Sequence, residues 1–248
     1  MNNITTMRLL PGTANQRCLS VRQMSSTGNR MSLKAQLDAC RHAFEASTPP
    51  GIVAALQGSV AELVQTGLVR QAVKAGEKAP LFRLRSDTGD FVALSEALGR
   101  GPVVVSFFRG GWCPFCRLEL QALAQAHSEL KRLGATLIGL SPLPNADSYS
   151  SFLILTDTGC RIAARYRIAF AVTPRFRPAH LALGYPERLK KGPPSWVLPL
   201  PATYVIDRDG IVVLSYVDAD CTTRLEPTEI AVALAHLRAR ANPSSSAR

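Results

Sequence analysis

Trp112-Cys113-Pro114-Phe115-Cys116 constrains this chain more than any other stretch. A strongly β-prone apolar run, Val103-Val104-Val105-Ser106-Phe107-Phe108, precedes it across a Gly110-Gly111 turn, and an amphipathic segment, Arg117-Leu118-Glu119-Leu120-Gln121-Ala122-Leu123, follows. The pattern predicts strand, tight turn and helix, with both cysteines on the first helical turn. Pro114 suits the first helical position, where its missing N–H leaves no bond unmade. Cys113 is therefore expected at the N-cap and Cys116 one turn on, on the same face. A thiol there faces the positive end of the helix and unpaired backbone amides. Both favour the thiolate, which is the nucleophile. The spacing also lets a disulfide close with little backbone movement.

Other uses of a cysteine pair fit less well. Two small buried hydrophobes do not call for the turn, the proline and the adjacent tryptophan. A zinc site needs a tetrahedral ligand set, yet no other cysteines are closely spaced, and His42, His127, His180 and His236 are scattered singly. A structural disulfide at this spacing would close a tiny loop and constrain the unfolded chain little. A reversible redox dithiol remains. No metal, haem or nucleotide cofactor is called for, since no Lys-Ser/Thr follows Gly110-Gly111 to make a phosphate loop.

The 248 residues, 46% of them hydrophobic, suffice for one well-buried domain with additions. No apolar run approaches the ~20 residues of a membrane span. The 6 cysteines are too few for a disulfide-built secreted scaffold, so a reducing compartment with a cycling pair is expected, and the expected address is cytoplasmic. Residues 1–30 carry Arg8, Arg17, Arg22 and Arg30 and no acid, which supplies +4 of the formal +11. That stretch is expected to be a disordered extension. It is either a transit-like segment, which would send the protein to the mitochondrial matrix, or an upstream start with Met31 as the initiator. The remaining positive charge is spread, densest at Arg161-Arg165-Arg167 and Arg175-Arg177. No basic stripe is interleaved with aromatics, so a nucleic-acid partner is not expected.

Residues 31–75 read as an N-terminal helical hairpin. Leu33, Leu37, Cys40 and Phe44 recur at helical spacing from Leu33 to about Ala46. Thr48-Pro49-Pro50-Gly51 breaks the chain, and a second helix is expected from Ile52 to Val73. Residues 76–240 read as the core domain, and 241–248 as a loose tail. The core opens with short strands near Phe82–Arg85 and Phe91–Ala93. Strand 103–108, a helix 114–133 stopped by Gly134, and strands at Ala135–Leu140 and Phe152–Leu155 come next. A helix 159–168, an irregular Pro- and Arg-rich stretch over 171–199, an antiparallel pair at Ala202–Ile206 and Ile211–Tyr216, and a last helix at Pro227–Arg240 complete it. This order predicts an α/β fold with a mixed central sheet flanked by helices, and chemistry at the carboxyl edge where Phe108 ends its strand.

The run Phe107-Phe108-Arg109-Gly110-Gly111-Trp112-Cys113-Pro114-Phe115-Cys116 with Leu118-Glu119-Leu120 resembles the peroxiredoxin-like branch of the alkyl hydroperoxide reductase/thiol-specific antioxidant family, within the thioredoxin-like superfamily. Gly76-Glu77-Lys78-Ala79-Pro80, Leu155-Thr156-Asp157 and the stretch from Leu200 to Gly210 resemble it too, so the likeness spans about Met31 to Leu237. The resemblance implies a thioredoxin-like fold and a peroxidase that reduces hydroperoxides through Cys113 and Cys116 and is recycled by thioredoxin or glutathione. It leaves a homodimer open. It also implies that Pro201 is the superfamily's cis-proline beside the redox pair. Arg109 would polarise the peroxide or stabilise the thiolate, or be a surface residue beside a turn. Trp112 would shield the pair, or simply pack. A general thiol–disulfide oxidoreductase and a non-enzymatic redox-sensing module are the alternatives.

Three departures from the family pattern stand out. Arg109-Gly110-Gly111-Trp112 has no hydroxyl where peroxiredoxins carry a Thr or Ser before the cysteine. Leu200-Pro201-Ala202 lacks their Arg before the following strand. The crossover Pro142–Phe152 is at the lower limit for one that holds a helix. Thioredoxin logic makes Cys113 the attacking thiolate, whereas the Cys116-x-x-Glu119 spacing favours Cys116. Cys113 is the expected attacker, on the ground that the residue one turn inside is more buried and burial raises a thiol's pKa. Cys18 falls in the extension and Cys40 on an apolar stripe. Cys160 and Cys221 read as ordinary thiols in turns, with a second resolving role open to either.

Overall fold

The computed structural model describes residues 31–86, 89–143, 151–186 and 196–241. Helix α1 (Leu33–Ser47) begins where the Ser32 hydroxyl accepts the Ala35 amide at 3.2 Å, and it buries the stripe Leu33, Leu37, Cys40 and Phe44. The Glu226 carboxylate accepts the amides of Leu33 and Lys34 at 3.2 and 2.7 Å, an anion at the positive end of a helix. Pro50 opens α2 (Pro50–Thr66), and Gly67 closes it in the left-handed conformation at φ 68°. That glycine cuts the single helix expected to reach Val73 and leaves a separate turn, α3 (Leu68–Gln71).

Strands β1 (Arg83–Arg85) and β2 (Phe91–Ala93) pair antiparallel as a two-stranded sheet of their own. Helix α4 (Leu94–Arg100) follows, too short for its periodicity to be read from sequence. Strand β3 (Val103–Phe107) is buried at every residue, as a continuous β-branched run predicts for a strand covered on both faces. Helix α5 (Pro114–Arg132) carries the motif. Strand β4 (Thr136–Ser141) pairs parallel with β3, and β5 (Leu153–Thr156) pairs parallel with β4. Most of the short crossover between them, residues 144–150, lies outside the described residues. Helix α6 (Arg161–Arg165) is next. The stretch over 171–199 read as irregular holds order: β6 (Ala169–Ala171) pairs with β7 (Val197–Pro199), and α7 (Arg177–Ala182) sits between them. Strands β8 (Ala202–Ile206) and β9 (Val212–Val217) and helix α8 (Pro227–Ala241) finish the chain.

The central sheet has the order β5-β4-β3-β8-β9, with β8 antiparallel to β3 and to β9. Alternate residues of β3 enter opposite layers. Val103, Val105 and Phe107 join a cluster with Leu63 of α2 and Leu94 of α4. Val104 and Phe108 join one with Leu37 of α1, Leu123 of α5 and Ile230 of α8. The two N-terminal helices, expected as a hairpin, thus serve different layers: α1 packs on α5, and α2 packs on α7. The basic groups noted in the sequence have internal partners. Arg167 bonds Glu77 at 2.6 Å, Arg175 pairs with Glu62 of α2, and Arg165 donates to the Leu81 carbonyl at 2.5 Å. No described helix is long and apolar enough to cross a membrane.

The register places one constellation at one edge. Phe107, the last residue of β3, lies opposite Ala202, the first of β8, which lies opposite Val217, the last of β9. Antiparallel pairing therefore returns the chain after β9 to the edge from which the motif leaves β3. The Asp218 amide fastens it there, donating to the Pro201 carbonyl at 3.3 Å.

Candidate active site

Cys113 caps α5 with extended backbone, φ −84° and ψ 120°, and Pro114 takes the first helical position. Its amide donates to the Gly110 carbonyl at 3.2 Å, which closes the turn. Gly110 has φ 132°, and a Cβ there would stand 2.8 Å from the Trp112 ring. The turn needs a residue without a side chain. Trp112 folds back over it, donating from Nε1 to the Arg109 carbonyl at 3.0 Å. Its ring meets Tyr185 edge-on at 5.2 Å, and Tyr185 stacks on Trp196 at 4.6 Å. Trp112 is half-buried and touches both hydrophobic layers.

Cys113 and Cys116 are free thiols, each at 0% exposure. Burial does not distinguish them, so the expectation that the residue one turn inside is the more buried is corrected: Cys113, Phe115 and Cys116 all enter the same hydrophobic cluster. What distinguishes them is charge. Arg224, from the loop after β9, donates from Nη2 to Cys116 Sγ at 3.4 Å and from Nε to Glu119 Oε2 at 2.5 Å. Its Nη1 donates to the carbonyls of Cys221 and Thr223 at 2.6 and 2.5 Å. The second oxygen of Glu119 takes the Ser106 hydroxyl at 3.1 Å. This places a guanidinium that hydrogen-bonds from all three of its nitrogens between one carboxylate and one sulfur, away from water.

Burial alone would raise the Cys116 thiol. The hydrogen bond from Cys113, the charge of Arg224, and the backbone amide and charge of Arg109 outweigh it and bring the pKa down to about 5. Cys113 moves the opposite way, because burial and its hydrogen bond to Cys116 both hold its proton. Burial also raises Glu119 against the pull of Arg224. The arrangement is a thiolate at Cys116 with a thiol proton beside it on Cys113.

Arg109 is buried rather than a surface residue. Its guanidinium lies 5.6 Å from the centre of the Phe170 ring, and its Nε has no hydrogen-bond partner among the described residues. Pro201 is buried at the head of β8, but its peptide bond is trans, as is every peptide among the described residues. The Leu200 amide is taken by the Ile168 carbonyl at 2.8 Å, so the chain runs extended from β7 into β8. Cys160 lies in the other layer, donates to the Val197 carbonyl at 3.3 Å, and is pushed by burial and by Asp157 up to about 12. A cavity of about 230 Å³ adjoins the site between α1, α2 and the motif. Arg109, Phe115, His180 and Cys221 line it, whereas the two motif sulfurs do not. Burial and the Arg109 charge hold the His180 imidazole down to about 4. Among the described residues no His, Cys, Asp and Glu cluster is disposed for a metal ion.

Sequence reasoning did not single out Arg224. Nothing in Asp218-Ala219-Asp220-Cys221-Thr222-Thr223-Arg224 marks that arginine, and only the β8–β9 register delivers it. The missing family arginine before β8 was the one available hint that a cation had to come from elsewhere.

A Cys-x-x-Cys pair heading a helix at the carboxyl edge of this mixed sheet defines a thioredoxin-fold thiol protein. Residues 75–215 match the sequence model of the AhpC/TSA family, more than half of the chain, and the protein belongs to that family. It is 30% identical over 154 residues to the chloroplastic peroxiredoxin Q of Triticum aestivum, covering 61% of this chain and 62% of that one. It is 29% identical over 147 residues to the chloroplastic peroxiredoxin Q of Sedum lineare, covering 58% and 69%. The chain thus spans about three fifths of the length of the wheat relative. Among solved structures, the reduced 2-Cys peroxiredoxin of Plasmodium vivax superposes with TM-score 0.52 at 17% identity, covering 70% of this chain and 85% of that one. A peroxiredoxin 6 variant from Arenicola marina gives 0.52 at 22%, covering 68% and 75%. At these identities the likeness is one of fold.

Proposed function

We propose that the protein is a thiol peroxidase in which Cys116 is the attacking thiolate and Cys113 the resolving thiol. The observation that carries this reading is the Arg224 contact to Cys116 Sγ beside the protonated Cys113. The Cys116 thiolate attacks the distal oxygen of a hydroperoxide. The O–O bond breaks, Cys116 becomes a sulfenic acid, and the departing alkoxide takes the Cys113 proton and leaves as alcohol or water. The Cys113 thiolate then attacks the sulfenic sulfur and forms the Cys113–Cys116 disulfide. Hydroxide leaves and takes up one proton from solvent as water. External thiols, the dithiol of one thioredoxin or two molecules of glutathione, restore both thiols by exchange.

Arg224 supports the first step by stabilising the thiolate, and Arg109 adds a backbone amide and a second charge. Both sulfurs are enclosed, so a peroxide reaches them only when the packing around the pair opens. The chemistry belongs in a compartment that supplies reducing thiols, the cytoplasm or a mitochondrial matrix. The test is consumption of hydrogen peroxide and of cumene hydroperoxide with thioredoxin or glutathione recycling. Turnover with either peroxide supports the reading. Reduction of protein disulfides without peroxide turnover would replace it with a general thiol–disulfide oxidoreductase.

A further inference from the structure

Cys221 takes part in none of these steps, yet it shares a buried cluster with Cys113 and Cys116. Its carbonyl and the Cys116 sulfur are held by the two terminal nitrogens of one guanidinium, that of Arg224. Unlike the pair, Cys221 reaches the cavity wall, and it retains 7% exposure. Arg109 lines the same cavity at 2% exposure, with an Nε that no group among the described residues satisfies. A buried cation with unused hydrogen-bonding capacity is costly unless something comes to meet it. The remaining walls combine apolar side chains, Phe44 of α1 and Leu56 and Val60 of α2, with the polar Arg41, Glu45 and Asp220. The cavity therefore presents one sulfur and the buried Arg109 within a wall of mixed character.

We infer that Cys221 is a third redox cysteine, the outlet through which the enclosed Cys113–Cys116 disulfide passes to an external thiolate entering the cavity against Arg109. This rests on the peroxidase reading only for the origin of the disulfide. In the step, Cys221, a thiol that burial pushes up, gives its proton to cavity water as its sulfur attacks Cys113 Sγ. The Cys113–Cys116 bond breaks, and Cys116 leaves as the thiolate that Arg224 already holds. The thiol with the lower pKa is the better leaving group, which fixes the direction of attack. The product is a Cys113–Cys221 disulfide with one sulfur on the cavity wall. The incoming thiolate attacks Cys221, the Cys113–Cys221 bond breaks and Cys113 leaves as a thiolate that takes a proton from water; a second external thiol then attacks the mixed disulfide, leaves as the external disulfide and releases Cys221. Two electrons enter from outside, and both cysteines end reduced.

The experiment oxidises the full chain with diamide, which makes disulfides without peroxide, alkylates the remaining thiols and maps the linked peptides. A Cys113–Cys221 link is expected beside Cys113–Cys116 in the unmodified protein, and as the main link in Cys116→Ser. Reduction of the diamide-oxidised protein by thioredoxin, followed by tryptophan fluorescence, is expected to be about tenfold slower in Cys221→Ser and in Cys221→Ala. Absence of the Cys221 link in Cys116→Ser, or reduction of both Cys221 variants at the unmodified rate, overturns the inference. Oxidation by diamide but not by any peroxide would instead defeat the peroxidase reading and leave the relay standing.

Discussion

Arg224 Nη2 stands 3.4 Å from Cys116 Sγ, although 108 residues separate the two in sequence. The same side chain bonds Glu119 one turn further along α5, and the two ion-pair partners are 1% and 2% exposed. One buried cation thus faces two groups that compete for it. A fork-shaped guanidinium can serve both, because its nitrogens point in different directions from one plane.

The first expected consequence is a pH profile. The Cys116 thiol is held at about 5 in the folded protein, whereas an unfolded thiol titrates near ~8.5. Stabilisation from this lowered pKa is fully present above the unfolded value and is lost as pH falls through the folded one. The rate of peroxide-induced tryptophan fluorescence change should be flat from about pH 8 to about pH 6 and fall through about pH 5. Native stability should weaken earlier, from about pH 8.5 down to about pH 5, the interval in which the unfolded thiol is protonated and the folded one is not. A rate that rises steeply between pH 7 and 9 would show an unstabilised thiol.

Removing the cation should move that profile. Arg224→Met strands the buried Glu119 carboxylate, at a cost of about 3–5 kcal/mol in urea unfolding. The double variant Arg224→Met/Glu119→Gln removes the stranded charge and should recover part of that loss, while its thiol midpoint lies well above that of the unmodified protein. If the midpoint of the double variant stays near 5, Arg224 does not hold the thiolate.

The order of attack is read by mass. Cys116→Ser should be silent to peroxide in the motif, while Cys113→Ser should gain one oxygen as a sulfenic acid and then over-oxidise. The physical basis is that Arg224 and the Arg109 amide address Cys116, while Cys113 keeps its proton. The reverse pattern would restore Cys113 as the nucleophile.

Gly110→Ala should damage the site without touching a sulfur. Its φ of 132° suits glycine, and the added methyl group would collide with the Trp112 ring at 2.8 Å. A loss of about 1–3 kcal/mol is expected, with a shifted tryptophan emission spectrum as the ring leaves the Arg109 carbonyl. Unchanged stability and spectrum would mean that the turn is looser than its contacts imply.

Local sequence determined what local physics controls. The strand, the turn and the N-cap were legible because a β-branched run, two glycines and a Cys-Pro step each restrict the backbone by themselves. The α1 stripe of Leu33, Leu37, Cys40 and Phe44 was legible because helical periodicity is a property of neighbours. The break at Gly67 and the short elements α4, β6, β7 and α7 were not, being too brief for a period to show. Only the tertiary structure brings a charge that separates the two thiols. The two cysteines share one helical turn, one dipole and complete burial, so nothing within the motif separates them. Antiparallel pairing of β8 with β3 and β9 brings the distant loop of Cys221 and Arg224 to the motif's edge. A guanidinium in contact outweighs the smaller differences that position on a helix can make.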